Sequence, residues 1–177
     1  MRKNNKKILY LDMDDTICSF TSRVLEIDPS IVTLSSHAPN YEERSDKVLK
    51  VMRDYPRMFL TLEPIEGSVE AVKRLWEHYD ILFLSTPCWF VPESYMDKRH
   101  WIQKYFGDAA KDRLILSQRK ELNIGDYLVD DRLANGAEQF TGEHLQFGHG
   151  KYPTWVEVEG FLMKHYEINV YANSLEI

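Results

Sequence analysis

The chain has 177 residues, 44% hydrophobic and 28% charged, the make-up of an ordinary globular domain long enough to bury one core. Its net charge of −6, from 28 acidic against 22 basic side chains, disfavours a sequence-independent grip on a nucleic-acid backbone. A small anionic substrate stays open, because one local Lys or Arg with a metal ion reverses the sign inside a pocket.

The first seven residues, Met1-Arg-Lys-Asn-Asn-Lys-Lys7, are basic, but the apolar run behind them ends at Asp12. That is too short for a signal peptide or a membrane span, so a cytoplasmic protein with no membrane partner is expected. Cys18 and Cys88 are far apart and lack metal spacing, which predicts free thiols in a reducing compartment.

Lys7-Ile-Leu-Tyr-Leu11 is bounded by charge and reads as a strand buried on both faces of a parallel sheet. Residues 18–62 hold no convincing buried strand. They include a predicted helix from Tyr41 to Asp54 and the polar run Ser35-Ser-His-Ala-Pro-Asn40. From Glu66 to Tyr79 the spacing turns helical, with Val69, Val72, Leu75, Trp76 and Tyr79 on one stripe. Ile81-Leu-Phe-Leu84 is a second strand, Tyr95 to Phe106 a helix ended by Gly107, and Arg113-Leu-Ile-Leu116 a third strand. Tyr127-Leu-Val129 and His144-Leu-Gln-Phe147 add two more strands, and Thr154 to Tyr166 a closing helix. The alternation predicts an α/β fold, a doubly wound parallel sheet built from residues 1–17 and 63–177, with residues 18–62 inserted as a small helical cap. In such sheets ligands bind outside the carboxyl ends of the strands.

Asp12, Asp14 and Asp15 fall at the carboxyl end of the first strand. Three carboxylates within four residues repel one another, and a hard divalent cation with oxygen ligands offsets that cost. On a strand Asp12 and Asp14 face the same way, so one can attack a phosphorus while the other gives a proton to the leaving oxygen. An acidic turn accounts for Asp-x-Asp alone equally well. The second acidic pair, Tyr127-Leu-Val-Asp130-Asp131, ends another apolar strand and gathers four carboxylates at one sheet edge. Ser85-Thr86 ends a third strand and offers hydroxyls and backbone N–H groups to an anion, and Lys120 supplies positive charge. Singly these are a turn and a surface lysine; together, at strand ends, they make a coherent phosphate site. His37, His100 and His149 have no metal-ligand spacing, and Glu42-Glu-Arg44 reads as a solvated helix face.

This order of motifs, Asp-x-Asp-x-Thr, then Ser-Thr, then Lys, then Asp-Asp, resembles the haloacid dehalogenase (HAD) superfamily of phosphatases over nearly the whole chain. The resemblance implies Asp12 as nucleophile, Asp14 as general acid and base, and Thr86, Ser85 and Lys120 around the phosphate. It also implies Mg²⁺ bound by Asp12, the main-chain carbonyl of Asp14 and Asp131, with Asp130 alongside. Phe59 to Lys73, Leu82-Phe-Leu-Ser-Thr-Pro87, Trp101-Ile-Gln-Lys-Tyr-Phe-Gly107 and Leu128-Val-Asp-Asp-Arg132 look like the 5′(3′)-deoxyribonucleotidases, which dephosphorylate nucleoside monophosphates. Phe20 falls where that family places an aromatic residue beside the base, and a core role fits it equally well. The family has Gly at the position of Asp15, and its insertion is longer, with a Phe-Trp pair that residues 18–62 lack. Trp89 and Phe90 are open to either role, base contact or core.

A nucleoside-monophosphate phosphatase is the expectation, and a HAD phosphatase of another small phosphorylated metabolite the closest alternative. A polynucleotide end-processing enzyme would need a basic groove, which the dispersed Lys and Arg residues do not provide. A non-catalytic nucleotide-binding regulator would not need both Asp12 and Asp14. Oligomeric state is left open, a homodimer among the options.

Overall fold

Ile8–Leu11 form β1, Asp80–Ser85 β2, Leu114–Leu116 β3, Tyr127–Asp130 β4 and Glu143–Gln146 β5. In the computed structural model, which describes residues 6–31 and 41–174, these strands make one parallel sheet in the order β3-β2-β1-β4-β5. β1 lies at its centre, with Ile8 to Leu11 in register with Asp80 to Phe83 on one side and Leu9 to Leu11 with Tyr127 to Val129 on the other. The chain builds outward from β1 to β3, then returns to lay β4 on the far side of β1. The β1–β4 gap is therefore the topological switch point, where open α/β sheets bind their ligands.

Side chains alternate across the pleat. Leu9, Leu11, Ile81, Phe83, Tyr127 and Val129 join the main buried cluster with Val69, Val72, Trp101, Trp155 and Leu162. Tyr10, Leu84 and Leu128 point the other way and are covered by Ala137 and Phe140. The helices supplying most of the main cluster are α3 (Ser68–Leu75), α4 (Glu93–Phe106) and α5 (Trp155–Ser174), and α1 (Phe20–Ile27) and α2 (Tyr41–Asp54) add Val24 and Val51.

All five expected strands and the helix at 41–54 are present. The helix expected over 66–79 is shorter: Gly67 is left-handed at φ 74°, which delays its start to Ser68, and the regular helix ends at Leu75. The closing helix continues past Tyr166 to Ser174. α1 was not expected: Phe20, Val24 and Ile27 lie at helical spacing, but the helix has only eight residues and only Val24 is buried. The polar run 35–40 with His37 and the first five residues lie outside the described residues, as do the side chains of Glu42, Glu43 and Arg44.

Where the chain leaves the sheet for α1 and α2, exit and return run side by side. Ser19 N–H donates to the Glu63 carbonyl at 2.8 Å, and Ile65 N–H to the Ile17 carbonyl at 3.0 Å.

Candidate active site

Asp12 follows β1 directly, its N–H donating to the Val129 carbonyl of β4 at 2.9 Å. Asp130 ends β4 and Asp131 comes next, so the switch point brings three carboxylates together, with one oxygen of each within 4.8 Å of the others. Lys120 sits against them, almost fully buried. Its Nζ lies 3.0 Å from Asp12 Oδ1 and also pairs with Asp130. The lysine opens a short 3₁₀ turn, Lys120–Leu122, held by its own N–H donating to the Asn135 carbonyl at 2.8 Å. Asn135 and Gly136 are both left-handed, and a Cβ on Gly136 would meet the Glu121 carboxylate at 1.7 Å. A side chain there would turn the Glu121 carboxylate aside and strain the left-handed backbone.

Burial would raise the Asp12 carboxyl, but the charges of Lys120 and Lys98 outweigh it and hold Asp12 below the usual carboxylate range. Asp130 is pushed up to about 6 by burial and by Asp12. Asp131 is pushed up to about 8, mainly by burial, against the pull of Arg132. Asp130 spends its oxygens on Lys120 and on the Arg132 N–H, whereas Asp131 Oδ1 is buried with no hydrogen-bond partner. A buried carboxylate oxygen left unpaired beside two other acids is costly, and a hard divalent cation satisfies such a donor set. The three acids thus fit Mg²⁺.

Asp14 points elsewhere. Its carboxylate lies 2.7 Å from the Nζ of Lys98, which also donates to Ser85 Oγ at 3.1 Å and covers the Phe59 ring at 5.1 Å. Of the four expected metal-site residues, the structure gathers the carboxylates of Asp12, Asp130 and Asp131 and leaves that of Asp14 outside. The resemblance called only for the main-chain carbonyl of Asp14.

At the end of β2, Ser85 is fully buried and the Thr86 hydroxyl donates to the Ser117 carbonyl at 2.9 Å. Thr16 locks the loops together: its hydroxyl accepts the Asp131 N–H at 3.1 Å and its carbonyl accepts Trp155 Nε1–H at 2.8 Å. Asp15 occupies its glycine-like position at φ 54°, a conformation Asp tolerates better than most residues. Its carboxylate accepts both the N–H and the hydroxyl of Thr21, at 2.8 and 2.5 Å, which caps the start of α1. Phe20 stacks on Phe59 with centroids 5.7 Å apart. Trp89 and Phe90 are exposed, which rules out a core role for both. Cys18 is a buried thiol donating to the Met13 carbonyl, and neither cysteine is bridged.

Lys98 is the site residue that sequence reasoning missed. It sits among Asp97, Arg99 and His100 and looks like one more charge on a polar face. Its position three and four residues before Trp101 and Ile102 puts it on the buried stripe of α4, and that spacing was the available signal. Asp97 beside it is equally buried and pairs with Arg57 at 2.9 Å.

Comparison with known proteins agrees with this geometry. The profile of the family described as 5′ nucleotidase, deoxy (pyrimidine), cytosolic type C protein matches residues 6–166. A Vibrio phage KVP40 protein bearing the name 5′(3′)-deoxyribonucleotidase is 40% identical over 162 residues, 91% of this chain and 87% of that one. The human 5′(3′)-deoxyribonucleotidase, cytosolic type, is 31% identical over 158 residues, 78% of each chain. The magnesium-bound structure of the HAD-hydrolase YfnB from Bacillus subtilis superimposes with a TM-score of 0.53 at 13% identity, over 82% of this chain and 88% of that one, a likeness of fold. The chain belongs to the 5′(3′)-deoxyribonucleotidase family, phosphomonoester hydrolases of the HAD fold.

Proposed function

We propose that the protein is a Mg²⁺-dependent phosphatase that releases phosphate from nucleoside monophosphates through a phosphoaspartate at Asp12. The observation that carries this reading is the separation of two carboxylates two residues apart. Asp12 is held ionised against Lys120 within the acidic trio, while Asp14 is held on a different cation, Lys98. A carboxylate kept charged at the sheet edge is a nucleophile, and a second on its own support is free to handle protons.

In this account a carboxylate oxygen of Asp12 attacks phosphorus and the bond to the nucleoside oxygen breaks. Asp14 delivers the proton that oxygen needs. Returned to its carboxylate form against Lys98, it takes a proton from the water that attacks the phosphoaspartate, which frees phosphate and restores Asp12. Lys120 faces the charge on the transferring group, and the backbone around Ser85 and Thr86 positions its oxygens. Asp12, the Asp14 carbonyl and Asp131 would hold Mg²⁺, with Asp130 keeping Lys120 in place. When bound, the ion would supply charge neutralisation for the phosphoryl oxygens. Residues 18–62, with α1 and α2, would act as a cap over the site, and Phe20 would lie beside the base.

The test is phosphate release from a panel of deoxynucleoside and nucleoside monophosphates with Mg²⁺. Turnover of nucleotides, stopped by chelation and by Asp12→Asn, is expected. Turnover of an aryl phosphate with none of the nucleotides would leave the phosphatase and refute the substrate. The absence of a Phe-Trp pair from residues 18–62 favours one second reading, a phosphatase of another small phosphorylated metabolite.

A further inference from the structure

The loop that follows β2 carries two large aromatic side chains in the open, Trp89 at 72% exposure and Phe90 at 60%. Single exposed apolar residues are commonplace, but two adjacent aromatics just beyond the strand end that carries Ser85 and Thr86 form a patch that calls for an occupant. Their exposure is built in rather than a result of a loose loop. The Cys88 N–H donates to Ser94 Oγ at 3.0 Å, Ser94 Oγ donates back to the Cys88 carbonyl at 3.2 Å, and the Val91 N–H donates to the same carbonyl at 3.1 Å. Cys88 and Val91 are tied together by that last bond and Val91 is buried, so Trp89 and Phe90, the two residues between them, stand on the exposed side of a fixed turn.

Position narrows the choice of occupant. Trp89 is three residues beyond Thr86, a span of at most about 10 Å of chain, on the edge of the sheet where Asp12 emerges. Across the loop, the Arg53 guanidinium from the last turn of α2 covers the Phe90 ring at 5.2 Å from its centroid. The aromatic pair therefore bridges the phosphate end of the site and the inserted helices. The other aromatic stack near Asp14 has less to offer, because one neighbour of the buried Phe59 ring is Phe20 and another is Lys98.

The geometry points to Trp89 and Phe90 as the platform on which the nucleobase of the substrate stacks, with Arg53 fixing the orientation of Phe90. This rests on the nucleotide reading given above and adds a loop of the sheet domain to the base contact that reading gives to Phe20. An indole face accepts any base, so the platform confers a preference for nucleotides over base-less phosphates without choosing among bases.

The experiment compares kcat/KM for deoxythymidine monophosphate and for deoxyribose 5-phosphate, both with Mg²⁺, in the parent enzyme, Trp89→Ala, Phe90→Ala and Trp89→Phe. The preference for the nucleotide is expected to fall about tenfold in each alanine variant, the scale of one lost stacking contact, and to be kept within about twofold by Trp89→Phe. Both alanine changes are at exposed positions, so circular dichroism and melting temperature should match the parent. A preference unchanged in the alanine variants would overturn the platform while leaving the nucleotidase standing. The same result with a change in sedimentation would assign the patch to self-association instead. If the parent turned over only deoxyribose 5-phosphate, the nucleotide reading itself would fall, and the platform with it.

Discussion

Two buried lysines divide the labour around one motif. Lys120 holds Asp12 and Asp130, Lys98 holds Asp14 and Ser85, and neither cation is interchangeable with a surface charge, because each is almost completely enclosed. Removing one partner of such a pair leaves the other charge desolvated and unpaired. Lys98→Met, which keeps the volume, is expected to cost about 3 kcal/mol of stability, the low end of that range since Asp14 is partly open to water. With Asp14 no longer oriented, kcat should fall about 100-fold with KM little changed, measured well below the variant's melting temperature. An unaltered kcat in the folded variant would reduce Lys98 to a structural residue. Arithmetic of spacing alone could have found Lys98, but its chemistry could not be read from sequence: the partner that makes it functional is 84 positions away and is brought near by β1, β2 and α4.

At the level of elements, what was legible follows from how strongly each signal was local. The cores of β1 to β4 are short apolar runs bounded by charge or turn residues, so composition alone marked them, whereas β5 has Leu145 as its one apolar residue. The acids at the ends of β1 and β4 share one edge, as expected. α1 escaped because it depends on a cap supplied from outside itself, the Asp15 carboxylate on Thr21. The same cap accounts for an Asp at a left-handed position that Gly would occupy without strain. Left-handed backbone costs a non-glycine residue about 1 kcal/mol, and the cap returns a similar amount. Asp15→Gly, which loses both, is therefore expected to match the parent's stability, whereas Asp15→Ala loses the cap, keeps the strain and should cost about 1 kcal/mol. Chemical denaturation of the two variants decides this; an Asp15→Ala variant as stable as the parent would show that the cap contributes nothing.

The whole molecule carries its site as a liability when no cation is bound. Asp131 at about 8 and Asp130 at about 6 both lie above the ordinary value of 3.8, so the folded metal-free chain retains protons that the unfolded chain has released. Their contribution to stability is complete below pH 3.8 and is lost as pH rises through about 6 and about 8. In EDTA the melting temperature should therefore fall across that interval, and Mg²⁺ should restore it by an amount that grows with pH. At a hundredfold excess over its dissociation constant the ion adds about 2.7 kcal/mol, which for a chain of this size is roughly 5–10 °C. A melting temperature in EDTA that is flat or rising over the same interval would contradict the burial of these acids as described.

The proposed chemistry requires a carboxylate oxygen of Asp12 to take the phosphoryl group. Acid-quenching the enzyme during turnover of a deoxynucleotide with Mg²⁺, then reducing with borohydride, converts an acyl phosphate to homoserine at the residue that carried it. Peptide mass spectrometry is predicted to find homoserine at position 12, dependent on both substrate and Mg²⁺ and absent from Asp12→Asn, which should also be inactive. Sustained turnover with position 12 unmodified, or turnover that survives Asp12→Asn, would contradict it.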